Sequence, residues 1–231
     1  MSVKKEKYQE IINELGATVT LVAVSKTKPV EDIKELYDLG HRDFGENYVQ
    51  ELVDKEVQLP KDIRWHFIGH LQSNKVKYIA PFVHLIHGVD SLKLLAEINK
   101  QAAKNNRVID VLLQVHIATE ETKFGLDEKE LDLIVSESEN LKMANVWICG
   151  LMGMASFTDD MTKVREEFQY LKTLFDKHTQ PQTTNSSLRG AKQQLSTLSI
   201  GMSSDYKIAV EEGSTMVRIG SLLFGERNYQ Q

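Results

Sequence analysis

The sequence predicts an α/β protein that folds as a single (β/α)8 TIM barrel. Eight short apolar segments of strand type alternate with helical patterns along the 231 residues. Such alternation indicates parallel strands joined by helical crossovers, and eight units of this length are typical of a closed barrel. The alternative is an open doubly wound sheet, which usually carries a Gly-rich turn after its first strand. Here the polar segment 25–29 occupies that place.

The first half of the chain gives four strands and clear helix starts. Residues 3–14 carry apolar side chains at helical spacing. The first strand is followed by Pro29, whose fixed φ suits a first helical turn, and that helix ends at Gly40. Asp90 and Ser91 cap a later helix that reaches about Ala103. The predicted strands of this half are 19–25, 42–45, 64–68 and 83–88, with helices over 29–39, from 46 to 57, after 75 and from 91.

The second half continues the same rhythm. Asp127 and Glu130 have the spacing of a capping box at the start of a helix. The predicted strands are 108–117, 146–151, 195–200 and 216–219, with helices from 127, over 161–177 and over 206–212. Only the segment 179–194, rich in Gln, Thr, Ser and Asn, breaks the pattern, and we expect a flexible surface loop there. The prediction is one domain over 1–231.

Composition excludes several classes of function. The chain has 28 basic and 33 acidic residues, a net charge of −5 and no basic stripe, so nucleic acid is not an expected partner. No apolar run approaches the length of a membrane span, and no secretory signal is present, so we expect a soluble cytoplasmic protein without membrane contact. Cys149 is the single cysteine, which rules out an internal disulfide, and it lies in an apolar run as a small core residue.

Lys26 directly follows the first predicted strand. In a TIM barrel the carboxyl ends of the strands surround the active site. Partial burial there disfavours the charged ammonium and makes the amine a nucleophile for carbonyl groups. On this stretch alone, an ordinary lysine that extends to water is the favoured reading. The other strand ends supply Asn47, Met152 and two Gly-Ser groups as candidates.

The loops after strands seven and eight carry a phosphate-binding pattern. Glycine allows close backbone approach to an anion, and serine hydroxyls donate hydrogen bonds. These loops are the common phosphate site of the TIM barrel. Because both carry the pattern, we favour phosphate binding over ordinary turns. The candidate residues are Gly201, Ser203, Ser204, Gly220 and Ser221.

Arg218 and the histidines allow more than one interpretation. Arg218 lies within an apolar strand end, so it requires a specific partner, which could be a core carboxylate or a ligand. His66 and His70 are four residues apart, but they flank a strand end rather than a helix, so no metal site is predicted. We expect one of them to pack and the other to line a loop. Lys123 is either a second site amine or a surface lysine.

Six motifs are spread along the chain: 24–29 (VSKTKP), 44–51 (FGENYVQE), 65–75 (WHFIGHLQSNK), 150–152 (GLM), 201–205 (GMSSD) and 217–220 (VRIG). Together they resemble the YggS/PROSC family of pyridoxal 5′-phosphate (PLP) homeostasis proteins. The resemblance covers nearly the whole chain, with the motifs in the family's order. His70 stands where many bacterial members have proline, and 179–194 is longer than usual.

The resemblance implies a type III PLP fold, the barrel of alanine racemase without the C-terminal β domain. It implies a Schiff base on Lys26 and Arg218 at the pyridine nitrogen, with Asn47 near the ring. The phosphate would lie between the Ser203-Ser204 and Gly220-Ser221 loops. An arginine beside that nitrogen keeps it unprotonated, which makes the ring a poorer electron sink.

Two main functions remain, with a third weaker one. The first is a non-catalytic carrier and buffer of PLP, with apo PLP-dependent enzymes as candidate recipients of the cofactor. The second is an amino-acid racemase, and the third is a Schiff-base aldolase acting on a sugar phosphate. The resemblance implies that a racemase needs a tyrosine from an added domain, for which the chain, ending at Gln231, leaves no room. We expect Tyr48 to pack and Tyr206 to lie outside the phosphate loop, so the carrier, as a monomer, is favoured.

Overall fold

Eight parallel strands form one closed barrel. The computed structural model describes residues 3–120, 124–140, 143–179 and 195–225. Each strand pairs with the next in chain order, and β8 pairs back with β1. This closure confirms the predicted TIM barrel and excludes the open sheet. No helix in the described ranges is long and apolar enough to cross a membrane.

All eight predicted strands are present, with ends that differ by a few residues. The strands are β1 Thr20–Val24, β2 Asp43–Glu46, β3 Arg64–Phe67, β4 Leu85–Val89, β5 Ile109–Gln114, β6 Val146–Met152, β7 Thr197–Ser199 and β8 Met216–Ile219. The helices are α1 Lys5–Leu15, α2 Val30–Asp38, α3 Val49–Glu56, α4 Val76–Ile79, α5 Leu92–Lys104, α6 Glu128–Asn140, α7 Met161–Thr179, α8 Tyr206–Glu211 and α9 Ser221–Phe224.

Alternation along each strand divides the core into two layers. In β1, Leu21 and Ala23 face outward and join the large core between sheet and helices. Val22 faces inward and belongs to a smaller apolar cluster inside the barrel, which includes Leu112 and Cys149. The predicted burial of Cys149 is therefore confirmed. Burial raises the pKa of its thiol to about 12.

The predicted helix starts are confirmed by their hydrogen bonds. The Ser91 hydroxyl accepts from the Leu94 N–H at 3.3 Å, which caps α5. At the start of α6, the Asp127 carboxylate accepts from the Glu130 N–H at 2.8 Å, and the Glu130 carboxylate accepts from the Asp127 N–H at 3.0 Å. This reciprocal pair is the capping box that the spacing indicates.

Three details differ from the sequence prediction. Strand five ends at Gln114 rather than at 117, because the chain beyond it pairs with Leu126: the His116 N–H donates to the Leu126 carbonyl at 3.0 Å. The helix predicted after residue 75 is short: a 3-10 turn over Ser73–Lys75 is followed by the single turn of α4. Tyr48 was expected to pack, but its side chain is exposed where it precedes α3. Of the predicted loop, 180–194 lies outside the described residues, as does Lys123.

Candidate functional site

Lys26 lies just beyond the carboxyl end of β1, as predicted. Val22 of β1 faces the barrel interior, and Lys26 is half-buried in the turn that follows this strand. The next residue, Thr27, has φ +63°, a left-handed conformation that is unfavourable for a β-branched side chain. The backbone around Lys26 must therefore be held by its surroundings.

A buried ionic group holds this turn from outside the barrel. We call Glu46, Glu51 and Lys55 the turn clamp. The Lys55 ammonium donates to the Ser25 carbonyl at 2.8 Å and to the Glu46 and Glu51 carboxylates at 2.8 and 2.6 Å. Glu51 also accepts from the Thr27 N–H at 2.6 Å, and Glu46 accepts from the Ser25 hydroxyl at 2.6 Å. The clamp thus fixes the residues on both sides of Lys26.

Glu46 is the most buried member of the clamp. Its side chain is 0% exposed, and Lys55 is 6% exposed. Burial raises the pKa of the Glu46 carboxyl, an effect that the nearby Lys55 ammonium opposes. The second oxygen, Oε2, has no hydrogen-bond partner in the described part of the chain. The ionised form of the Glu46 side chain therefore depends on the Lys55 ammonium for its stabilisation.

Asn47, the residue after β2, brings an unpartnered polar atom to the same end of the barrel. Its Oδ1 is buried and makes no hydrogen bond to any residue that the structure describes. Buried polar atoms normally have partners, so this one marks a position where a ligand group can bind. A Cβ on Gly69 would lie 2.3 Å from the Asn47 carbonyl oxygen, so only glycine allows this close approach.

The loops after β7 and β8 join to form a cup of donors. Gly201 begins the first loop with φ +96°. The Ser203 hydroxyl accepts from the Gly220 N–H at 3.3 Å, which links the two loops. Within the described residues, the backbone N–H groups of Ser203, Ser204 and Ser221 have no protein acceptor. Available donors on two linked loops suit an anion like phosphate.

Arg218 is buried inside the barrel below this cup. Its Nη1 donates to the carbonyl and hydroxyl oxygens of Ser199 at 2.8 and 2.6 Å, and its Nη2 donates to the Gly153 carbonyl at 3.0 Å. These hydrogen bonds go to carbonyl and hydroxyl oxygens, and the buried Asp205 carboxylate interacts with the guanidinium electrostatically. Burial lowers the pKa of Arg218 to about 10, and Asp205 opposes that shift, so the guanidinium stays charged at neutral pH. Two of its five N–H donors remain for a ligand.

Other predicted residues lie at the edge of the site or away from it. Met152 is 1% exposed and belongs to the interior apolar cluster, so it can contribute only to the floor of the cavity. The Tyr206 hydroxyl donates to the Glu14 carboxylate of α1 at 2.6 Å, which confirms its place outside the phosphate loop. His70 lies in a loop with a half-exposed side chain stacked on Phe124, whereas His66 is buried. The described residues contain no group of three or more potential metal ligands.

Sequence reasoning missed the turn clamp and a second buried histidine, His87. A signal for the clamp was present: Glu51 and Lys55 are four residues apart, which brings them together on one helix face. Nothing in the sequence indicates that Lys55 also reaches β2.

Comparison with known proteins agrees with this architecture. A family model described as the N-terminal domain of alanine racemase matches residues 4–228. A protein of Aquifex aeolicus named pyridoxal phosphate homeostasis protein is 43% identical over 210 residues, which cover 90% of this chain and 87% of that protein.

Solved structures give the same fold. The structure of PipY from Synechococcus elongatus with PLP bound is 34% identical, covers 95% of this chain and 99% of that chain, and has a TM-score of 0.82. Alanine racemase of Clostridium difficile is 16% identical with a TM-score of 0.75, covering 98% of this chain and 57% of that chain, which shows the shared barrel alone. The chain therefore belongs to the alanine racemase N-terminal domain family and, within it, to the pyridoxal phosphate homeostasis proteins.

Proposed function

We propose that this protein binds PLP through a Schiff base on Lys26 and carries and buffers it without appreciable catalysis. The observation that carries the proposal is the placement of Lys26 at the same end of the barrel as the donor cup of the β7 and β8 loops. PLP supplies an aldehyde, a phosphate ester and a pyridine nitrogen. An amine and an anion site at one barrel mouth match the first two groups.

Each candidate residue takes a distinct role in this proposal. The hydroxyl and N–H groups of Ser203, Ser204 and Ser221 bind the phosphate, and Gly220, whose N–H donates to the Ser203 hydroxyl, holds the two loops together around it. Asn47 Oδ1 gains a partner at the edge of the ring, and Met152 closes the floor beneath it. These roles use donors and acceptors that the protein itself leaves available.

Arg218 determines the protonation of the bound ring in this proposal. Its remaining N–H groups donate to the pyridine nitrogen. Because the guanidinium is already cationic, a second proton on that nitrogen is disfavoured. A ring without that proton accepts electrons poorly, which supports storage of the cofactor rather than chemistry at an amino-acid carbon.

The alternative function is an amino-acid racemase. Its second acid–base group finds no support in Cys149, Tyr206 or Tyr48. Racemisation requires a group on each face of the substrate carbon. Cys149 is buried with a pKa raised to about 12. Tyr206 is hydrogen-bonded to Glu14, and Tyr48 is exposed at the start of α3. We therefore favour the carrier and include transfer to apo-enzymes, a monomeric state and a cytoplasmic location in the proposal.

The first test is spectroscopic and covalent. Protein incubated with PLP should show a visible absorption band, and borohydride should fix the cofactor on the peptide that contains Lys26. Lys26→Ala should lose both signals, whereas Lys34→Ala, at an exposed lysine of α2, should keep them. A wild-type protein that stays colourless would contradict the proposal.

The second test separates carrier from enzyme. The loaded protein should not interconvert the enantiomers of alanine, serine or glutamate. It should restore activity to a cofactor-depleted PLP enzyme when the two are mixed. Inversion of a free amino acid that depends on Lys26 would instead establish the racemase.

A further inference from the structure

A line of buried polar side chains runs through the barrel interior from β2 to Arg218. We call it the interior chain, and its members are 0–7% exposed. The consecutive distances are 3.0 Å from Asp43 Oδ1 to His66 Nε2, 3.0 Å from His66 Nδ1 to His87 Nε2, 3.3 Å from His87 Nδ1 to Ser199 Oγ, and 2.6 Å from Ser199 Oγ to Arg218 Nη1. Its members are Asp43, His66, His87, Ser199 and Arg218.

Asp43, the first member of the interior chain, can only accept hydrogen bonds. The Arg64 guanidinium donates to both oxygens of the Asp43 carboxylate, with Nε at 2.7 Å from Oδ1. Together with His66, it holds the pKa of that carboxyl far below its usual value despite burial. Because an ionised carboxylate has no proton to give, His66 Nε2 must carry the hydrogen of the bond to Asp43.

The positions of the other protons follow from this one. With its proton on Nε2, a neutral His66 accepts at Nδ1, so His87 donates from Nε2. His87 then accepts at Nδ1, so the Ser199 hydroxyl donates to it. The lone pairs of Ser199 Oγ are left to accept from Arg218, whose guanidinium can only donate.

The opposite direction is unfavourable at Ser199. A second proton on His66 would force His87 to donate from Nδ1. Ser199 Oγ would then face two donors, His87 and Arg218, and its own proton would have no acceptor among its described contacts. The added charge would also lie in the same interior as the Arg218 guanidinium.

We propose that His87, oriented by His66 and Asp43, is a positioning residue for Arg218: its Nδ1 accepts a hydrogen bond from the Ser199 hydroxyl and so turns the lone pairs of that oxygen toward the guanidinium. The inference rests on the proposed function, in which Arg218 donates to the pyridine nitrogen. Because Ser199 holds Nη1 and Gly153 holds Nη2, the plane of the Arg218 guanidinium is fixed. The two N–H groups that remain can therefore donate in only one direction.

Every charged or titratable group around His87 agrees with a neutral ring. His66 and His84 come from β3 and from the segment before β4, and Arg218 comes from β8. Burial lowers the pKa of His87 well below its ordinary value, and the positive charge of the Arg218 guanidinium adds to that effect. Among the described residues, Asp43 is separated from His87 by His66, and the ring nitrogens of His87 contact His66 and Ser199.

The first experiment reads the protons directly. Protein without PLP is labelled with 15N-histidine, and the ring nitrogens of His66 and His87 are observed by NMR at neutral pH. We expect the Nε2–H tautomer for both rings. An Nδ1–H tautomer or a doubly protonated ring at His87 would overturn the inference, whatever the outcome of the PLP-binding tests.

The second experiment uses two matched variants. The side-chain oxygen of Asn can replace His87 Nδ1 as the acceptor for Ser199, whereas the amide of Gln can replace only Nε2, which faces His66. We expect His87→Gln and Ser199→Ala to weaken PLP binding about tenfold and to shift the visible band of the bound cofactor, while His87→Asn stays close to wild type.

Inorganic phosphate provides the control for general damage to the barrel. Its competition for the donor cup should be unchanged in all three variants, because the interior chain acts on the ring end of the site. Equal effects of His87→Asn and His87→Gln on PLP binding would contradict the positioning role. A loss of phosphate binding as large as the loss of PLP binding would contradict it as well. If the wild type binds no PLP, the proposed function fails. The tautomer measurement still decides which way the hydrogen bonds of the interior chain are donated.

Discussion

Replacing Lys55 by methionine should destabilise the protein mainly through the charge that it leaves behind. The change removes every donor that Lys55 offers to Ser25, Glu46 and Glu51, while a side chain of similar length fills the space. Glu51 is partly exposed and can turn to water, but Glu46 is fully buried. Removing one partner of a buried ion pair costs about 3–5 kcal/mol.

Protonation of Glu46 limits this cost. Burial raises its pKa and the Lys55 ammonium opposes that shift, so loss of Lys55 raises the pKa further and favours the uncharged carboxyl. The loss of stability is therefore smaller at pH 5, where protonation of Glu46 costs less, than at pH 7. Since a raised carboxyl pKa lowers stability as pH rises, the loss must grow from pH 5 to pH 8.

The assay is denaturant and thermal unfolding of wild type and Lys55→Met at several pH values. At pH 7 we expect a melting temperature lower by about 6–12 °C for a chain of this size. Adding Glu46→Gln to Lys55→Met should recover most of the loss. The matched control is Lys34→Met, since Lys34 and Asp38 form an exposed pair spaced like Lys55 and Glu51, and it should cost less than about 1 kcal/mol. A loss for Lys55→Met that is independent of pH would refute the reasoning.

Two further predictions concern the donor cup and the interior thiol. Ser203→Ala combined with Ser204→Ala should weaken PLP retention in equilibrium dialysis about tenfold or more, because hydrogen bonds to a charged group are worth about 1.5–3 kcal/mol each. Binding of pyridoxal, which has no phosphate, should change little, and an equal loss for both compounds would count against the cup. Cys149, with its thiol pKa near 12, should resist a thiol reagent at pH 8 in the folded protein and react on unfolding. Rapid labelling of folded protein would show that the barrel interior is open.

The fold was predictable because a TIM barrel leaves a simple pattern in its sequence. Strands such as β1 and β8 are buried on both faces, so they are short apolar runs between polar turns. The ends of elements were less predictable. β5 stops at Gln114 because the following residues pair with the loop at Leu126, a contact that no local pattern indicates.

The site was predictable only where strand ends define it. Lys26, Ser203 and Gly220 lie in the loops that follow β1, β7 and β8, so closure of the barrel brings these loops to one end of it. Partners that depend on packing between distant segments could not be read. Arg218 is held by carbonyl and hydroxyl oxygens of β7 and the β6 loop, whereas its sequence context is equally compatible with a carboxylate.

The interior histidines show the same limit in another form. His66 and His87 each lie at an inward position of an otherwise apolar strand, where a single histidine has no evident partner. Only closure of the barrel brings their ring nitrogens to 3.0 Å. Burial of two imidazoles is then explained by the hydrogen bonds that continue to Asp43 on one side and to Ser199 on the other.

The two buried polar systems hold opposite ends of the proposed cofactor site and share no residue. The turn clamp acts on Lys26 from outside the sheet, and the interior chain acts on Arg218 from inside it. Substitutions without shared partners usually add in their effect on stability. Lys55→Met combined with Ser199→Ala should therefore lower the free energy of unfolding by the sum of the two single losses, within about 0.5 kcal/mol. A larger coupling energy in the double-mutant cycle would mean that the sheet transmits strain between the systems, so that Lys26 and Arg218 are not positioned independently.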